Sequence, residues 1–146
     1  MHILVTGFTP FGGEEVNPSA LLLPHLPAQL LGSRIDTLLL PTAFRTALPT
    51  LLQKVEELHP AAVLSMGQAG GRRGITLERV AINLDDARIP DNEGERPVDR
   101  PIAADGPAAY FSTLPVKAIV QRIRQEGLEA SLSCSAGTYV CNHVMY

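Results

Sequence analysis

Cysteine, basic charge and long apolar runs are all scarce in this chain, and each scarcity removes a class of protein. The 146 residues hold two cysteines, Cys134 and Cys141. One pair is too few for a disulfide scaffold, and its spacing matches no zinc-binding pattern. Free thiols in a cytoplasmic protein are the expectation. Twelve Lys and Arg stand against fifteen Asp and Glu, a net charge of −3. That leaves no basic footprint for nucleic acid and is too mild an acidity to imply a cationic partner. No apolar run reaches membrane-spanning length, since Leu21-Leu22-Leu23 is cut by Pro24 and Pro27. The opening stretch to Gly7 reads as a short strand entering a turn, without the basic flank and apolar core of a signal peptide.

What is present is an alternation of strand and helix patterns. The length and the 45% apolar content suit one domain around one core. Ile3 to Val5 is a short apolar strand followed by a loop with Gly12 and Gly13. Asn17-Pro18 reads as a helix start, with Asn as cap and Pro in the first turn, and Pro24 and Pro27 then shorten that helix. A second strand is predicted over Ile35 to Leu40. A helix over Phe44 to His59 carries an apolar stripe of Leu48, Leu51, Leu52, Val55 and Leu58. Ala61 to Met66 is a third strand, ended by glycines. Ile75 to Leu84 alternates weakly and is read as one further strand. The segment from Arg88 to Pro107, rich in Pro, Asp and Gly, is the least core-like and is expected to be extended loop. Leu114-Pro115 opens a helix with Val116, Ile119, Val120 and Ile123 on one face and Gly127 as its stop. Ala130 to Ser133 is a last short strand. The expected fold is α/β, a three-layer α/β/α sandwich around a central mixed sheet, as a single domain over residues 1–146.

Chemistry concentrates at the closing stretch 135–146. Cys141 sits where a Gly-Thr turn feeds a helix. The N–H groups and dipole there favour a thiolate, which makes Cys141 a candidate nucleophile with a lowered pKa. The competing reading is a small buried hydrophobe, the role also expected for Cys134. Glu78, among Ile75, Leu77 and Val80, is either a half-buried functional carboxylate or a solvent-facing residue of an edge strand. Arg88 is a loop cation. The glycines around Gln68, and Phe8 and Phe11 after the first strand, lie at predicted carboxyl ends of strands, where α/β proteins bind ligands. Those glycines match neither a dinucleotide nor a phosphate fingerprint. Among the histidines, His25 and His59 read as solvated. His143, two residues from Cys141, would face away from it on a helix.

Several segments then agree. They are Thr6-Gly-Phe-Thr-Pro-Phe-Gly-Gly13 with Asn17-Pro-Ser19, and Gly67-Gln-Ala-Gly-Gly-Arg72 with Glu78-Arg-Val-Ala-Ile-Asn83. Asp86-Ala-Arg-Ile-Pro-Asp-Asn-Glu-Gly94, Asp105-Gly-Pro-Ala-Ala-Tyr110 with Leu114-Pro115, and Ser135-Ala-Gly-Thr-Tyr-Val-Cys-Asn-His143 complete the set. In order and from end to end, the chain resembles the pyroglutamyl peptidase type I family of cysteine peptidases. The resemblance implies a cytoplasmic α/β/α enzyme without metal or cofactor, a homotetramer or homodimer, that removes N-terminal pyroglutamate from peptides through a Cys-His-Glu arrangement. It assigns the nucleophile to Cys141, the carboxylate to Glu78 and a positioning cation near the nucleophile to Arg88. An apolar pocket for the lactam ring falls to Phe8, Phe11, Ile89, Tyr139 and Val140, and its polar contacts to Asn17 and Gln68. Tyr139 stands where Phe is frequent.

The resemblance also implies a continuation past Tyr146 that carries the family's catalytic histidine, which no residue here matches. The sequence is therefore expected to be a C-terminally incomplete form of that domain, with apolar surface left uncovered. The alternative expectation is a catalytically inactive remnant that keeps the lactam pocket or a structural role.

Overall fold

The computed structural model describes every residue, Met1–Tyr146. The chain packs as two compact units, one formed by Met1–Gln68 with Arg88–Arg96 and the other by Ala69–Ala87 with Pro97–Tyr146.

The first unit is built on a four-stranded mixed sheet. Its strands are β1 (His2–Phe8), β2 (Gln29–Leu30), β3 (Ser33–Leu40) and β4 (Ala62–Ser65), in the order β2-β3-β1-β4. β1 runs parallel to both β3 and β4, and β2 is antiparallel to β3. Helix α1 (Pro18–Leu22) starts as the sequence predicts: Asn17 caps it by accepting from the Ser19 N–H. A 3-10 turn over Leu23–His25 replaces further α-helix where Pro24 intervenes. The helix backbone lies directly on β1. A Cβ at Gly7 would come within 2.7 Å of the Ser19 carbonyl oxygen, so only glycine fits there.

Helix α2 (Phe44–Leu58) buries Phe44, Ala47 and Leu51. Leu52, assigned above to the apolar stripe, is instead half exposed. The buried stripe runs 44, 47 and 51, at helical spacings 0, 3 and 7, which turns position 52 towards the flank. Ala43 cannot cap α2, and the cap comes from a distant loop. Asp91 is buried, and its Oδ2 accepts the Phe44 N–H at 2.8 Å while Oδ1 accepts the N–H groups of Glu93 and Glu95. Asn92 adds bonds from Nδ2 to the Pro10 carbonyl and from its N–H to the Thr42 carbonyl. The predicted loop is therefore irregular but tied down, and its Arg88–Arg96 part belongs to this unit. One face of the sheet leaves an apolar groove of about 260 Å³ lined by Ile3, Val5, Leu26, Ile35, Leu64 and Met66.

In the second unit, the single strand predicted over 75–84 is two. β5 (Ile75–Glu78) and β6 (Val80–Ile82) break at Arg79 because they join different ladders. β5 pairs in parallel with β8 (Ala130–Ser133), and β6 pairs antiparallel with β7 (Ala109–Phe111), a strand the sequence pattern did not disclose. Helix α3 (Val116–Gln125) buries Val120, and Gly127 follows it at φ 80°, as its stop signal requires. Helix α4 (Val140–Met145) closes the unit. No helix is long and apolar enough to cross a membrane.

Asp91→Ala strips α2 of its cap and leaves three backbone N–H groups of the loop and helix without their acceptor. Urea denaturation should report a loss of about 1–3 kcal/mol. A change below about 0.5 kcal/mol, the range of ordinary surface substitutions, would contradict the trans-capping role.

Candidate active site

Parallel pairing decides where the candidate residues of the second unit emerge. In the β5–β8 ladder Glu78 is opposite Ser133, so both strands end at the same edge. Glu78 closes β5 there, and β8 passes into the turn that carries the thiol. That turn is shaped by its own serines. Ser135 N–H donates to Ser133 Oγ, and Gly137 N–H donates to Ser135 Oγ. Gly137 adopts φ 77°, a left-handed conformation natural to glycine. The turn is pinned by the Ala136 N–H to the Val80 carbonyl and by Thr138, whose Oγ1 donates to the Asp86 carbonyl at 2.7 Å and whose own carbonyl accepts the Asp86 N–H. Tyr139 then stands at the N-cap with extended backbone, and α4 begins.

Cys141 is the second residue of α4 and is half-buried. Its thiol is not the acidic group expected from a helix start. Burial, with the Glu78 carboxylate as the second cause, pushes it up to about 11, against a lowering by its own backbone N–H. Desolvation disfavours the thiolate, and a six-residue helix has too little dipole to reverse that. Cys134 is also corrected: it is exposed, because β8 ends at Ser133 and releases it into the turn.

Glu78 is a half-buried carboxylate, so the solvent-facing alternative fails. Its Oε1 accepts from Arg72 Nη1 at 2.8 Å. Its Oε2 is buried without a hydrogen-bond partner. Buried polar atoms are rarely left so, and an orphaned one needs a reason. Gln68, after β4 in the first unit, repeats the pattern: its Oε1 is buried and unpartnered. Two of the three such side-chain atoms thus fall on residues singled out from sequence, the third being Thr6 Oγ1.

In the first unit, Phe8 is buried at the end of β1, and Phe11 follows in the adjoining loop. Ile89, half exposed, reaches that loop, since its Cδ1 would lie 3.2 Å from a Cβ on Gly12. Asn17 is fully buried and largely committed to the fold. Its Oδ1 accepts from both the Ser19 N–H and Ser19 Oγ, and its Nδ2 donates to the Thr9 carbonyl. Arg88 is exposed. Val140 is fully buried beside Cys141. His143 is committed elsewhere, as expected: its Nδ1 lies 3.0 Å from both oxygens of the buried Asp85, which Arg100 also pairs at 3.1 Å. No cluster of three His, Cys, Asp or Glu side chains could hold a metal ion.

A family model described as pyroglutamyl peptidase matches residues 1–146, the whole chain. The chain belongs to the pyroglutamyl peptidase family. It is 60% identical to the pyrrolidone-carboxylate peptidases of Streptococcus pyogenes serotypes M5 and M49, over all of this chain and 68% of theirs. Among solved structures, pyroglutamyl peptidase I of Bacillus amyloliquefaciens superposes with a TM-score of 0.95 at 48% identity, covering 99% of this chain and 71% of that one. Pyrrolidone carboxyl peptidase of Pyrococcus furiosus superposes at 0.97 with 44% identity, covering 100% and 71%. These matches place the chain among cysteine-type peptidases with an α/β fold and a mixed sheet, as the sequence motifs imply.

Sequence reasoning missed Arg72, the partner of Glu78, and Asn142, whose amide bonds the backbone of Ile82 and Leu84. Asn142 follows the cysteine directly, and a polar residue inside a short apolar helix was the available signal. Alkylation by iodoacetamide, mapped by mass spectrometry across pH, should label exposed Cys134 at neutral pH while Cys141 responds only towards pH 11. Glu78→Gln removes one cause of that elevation, so the Cys141 midpoint should fall. An unchanged or raised midpoint in Glu78→Gln would contradict the electrostatic coupling.

Proposed function

We propose that Cys141 is the nucleophile of a pyroglutamyl peptidase reaction, with Glu78 as its carboxylate partner residue and Asn17 and Gln68 as the polar contacts of the lactam. The single observation that carries this reading is the orphaned buried acceptor Glu78 Oε2, in the unit that holds Cys141; Gln68 Oε1, in the other unit, is likewise unpartnered. An unpaired acceptor is what a site keeps for a donor that arrives with the substrate or with a further catalytic group.

The lactam ring offers one N–H and one carbonyl. Gln68 Oε1 can take the N–H. Asn17, its oxygen already spent on Ser19, has only Nδ2 left to give, so its complement is the lactam carbonyl. Phe8, Phe11 and Ile89 supply apolar walls suited to a flat, uncharged ring. Proline lacks the ring carbonyl and would leave a buried donor unpaired, which is the stronger kind of rejection.

In the reaction, the Cys141 sulfur as thiolate attacks the carbonyl carbon that joins pyroglutamate to the next residue. The tetrahedral intermediate collapses with cleavage of the C–N bond, and the amine takes a proton as it leaves. Water then hydrolyses the thioester, releases pyroglutamate and restores the thiol. The first turn of α4 holds N–H groups without intrahelical acceptors, a natural cradle for the developing oxyanion, and Arg88 is the cation the family resemblance assigns to that charge. Histidine as base follows from the same resemblance, and none of His2, His25, His59 or His143 matches it. With the thiol held near 11, a base that removes its proton is a requirement of the chemistry.

The substrate class is therefore peptides blocked by N-terminal pyroglutamate. A cytoplasmic location and a homodimer or homotetramer rest on the resemblance alone.

Release of a fluorescent amine from its pyroglutamyl amide, beside the prolyl amide, tests the reading. Where the base is present, Cys141→Ala should lower the pyroglutamyl rate by about a thousandfold or more, and the prolyl amide should be refused while Cys141 is in place. Equal rates with and without Cys141 would overturn the assignment.

A further inference from the structure

The residue after the nucleophile is bonded like a strand. Asn142 is fully buried. Its Oδ1 accepts the Ile82 N–H at 2.9 Å, and its Nδ2 donates to the carbonyls of Ile82 at 2.9 Å and Leu84 at 3.0 Å. The side-chain amide thus satisfies both backbone groups of Ile82 at the end of β6, plus one further carbonyl. Both N–H bonds of Nδ2 are used, and nothing remains to offer a ligand.

α4 needs such a hold. Six residues are far below the length at which a helix persists alone, and Tyr139 gives it no side-chain cap. Buried Val140 and Val144 contribute non-directional packing, which tolerates a slide along the helix axis. The three bonds of Asn142 do not. They fix both rotation and translation one residue from the sulfur.

We infer that Asn142 is a positioning residue for Cys141: its amide clamps α4 to the end of β6 and so sets where the thiol stands beside the end of β5. The inference rests on Cys141 being the nucleophile. The charged and titratable groups around this helix are Glu78, at the end of β5, and Asp85, which pairs with both His143 and Arg100. Asn142 carries no charge, so removing it adds none. Its effect on the thiol comes through geometry and solvent access.

Opposite movements of ionisation and turnover are the signature. In Asn142→Ala the helix is released, water reaches the sulfur, and the midpoint of Cys141 alkylation should fall by one pH unit or more from about 11. kcat for the pyroglutamyl amide should fall at least tenfold while KM changes less than threefold. Asn142→Leu roughly keeps the volume, adds no charge and loses the acceptor and both donors, and should move the same way. Measurements on a Cys134→Ser background leave one thiol, and circular dichroism confirms that each variant is folded at the assay temperature. An unmoved midpoint and kcat within threefold in the folded variants would overturn the inference. So would loss of the fold in both variants, which would make Asn142 a stability residue. Cys141→Ser on the same background separates the premise: if it retains turnover, the nucleophile assignment fails, and the alkylation midpoints still report on the clamp.

Discussion

Parallel strand pairing is the constraint on which the rest depends. Strands that run side by side in one direction finish at one edge, and loops leaving that edge are brought together without any side-chain design. In the first unit β1 and β4 end this way, and Phe8 and Gln68 follow from their carboxyl ends. In the second, β5 and β8 do the same for Glu78 and the turn leading to Cys141. Carboxyl ends of strands are where α/β proteins gather function, and each unit obeys that rule within its own ladder.

A second theme is what the fold spends on unpaired chemistry. The thiol is held well above its ordinary 9.0, at about 11, which disfavours the thiolate by on the order of 3 kcal/mol. Two buried acceptors have no partner, each carrying a desolvation cost of about 1–3 kcal/mol. A core selected only for stability would fill or pair them. Around these groups the structure is conversely well satisfied. Asp91 accepts three backbone N–H groups, Asn142 saturates its amide on Ile82 and Leu84, and Thr138 locks the turn to Asp86. Of the three unpaired buried side-chain atoms, two fall on the candidate residues Glu78 and Gln68 and the third on Thr6.

Local signals were legible in the sequence, and long-range ones were not. Asn17-Pro18, the helix from Phe44, and the Leu114-Pro115 start with its Gly127 stop all rest on contacts within a few residues, and the structure bears them out. The break at Arg79 could not be read, because two strands of one apolar segment were claimed by partners 55 and about 30 residues away. Capping of α2 by Asp91 was hidden for the same reason: the donor helix and the acceptor lie 47 residues apart. Cys141 stands out in the sequence by its motif, but the acidity expected of a helix start has the wrong direction. The helix-start argument counts the dipole and omits burial and Glu78, neither of which is visible in a linear chain.

The most direct test of the central claim is covalent capture. A chloromethyl ketone built on pyroglutamate carries the ring to its pocket and alkylates whichever thiol stands at the scissile position. Peptide mapping at limiting reagent should place one adduct on Cys141 and leave the exposed Cys134 unmodified, with labelling suppressed by free pyroglutamate. An adduct on Cys134, or labelling of Cys141 that is indifferent to pyroglutamate, would contradict the account.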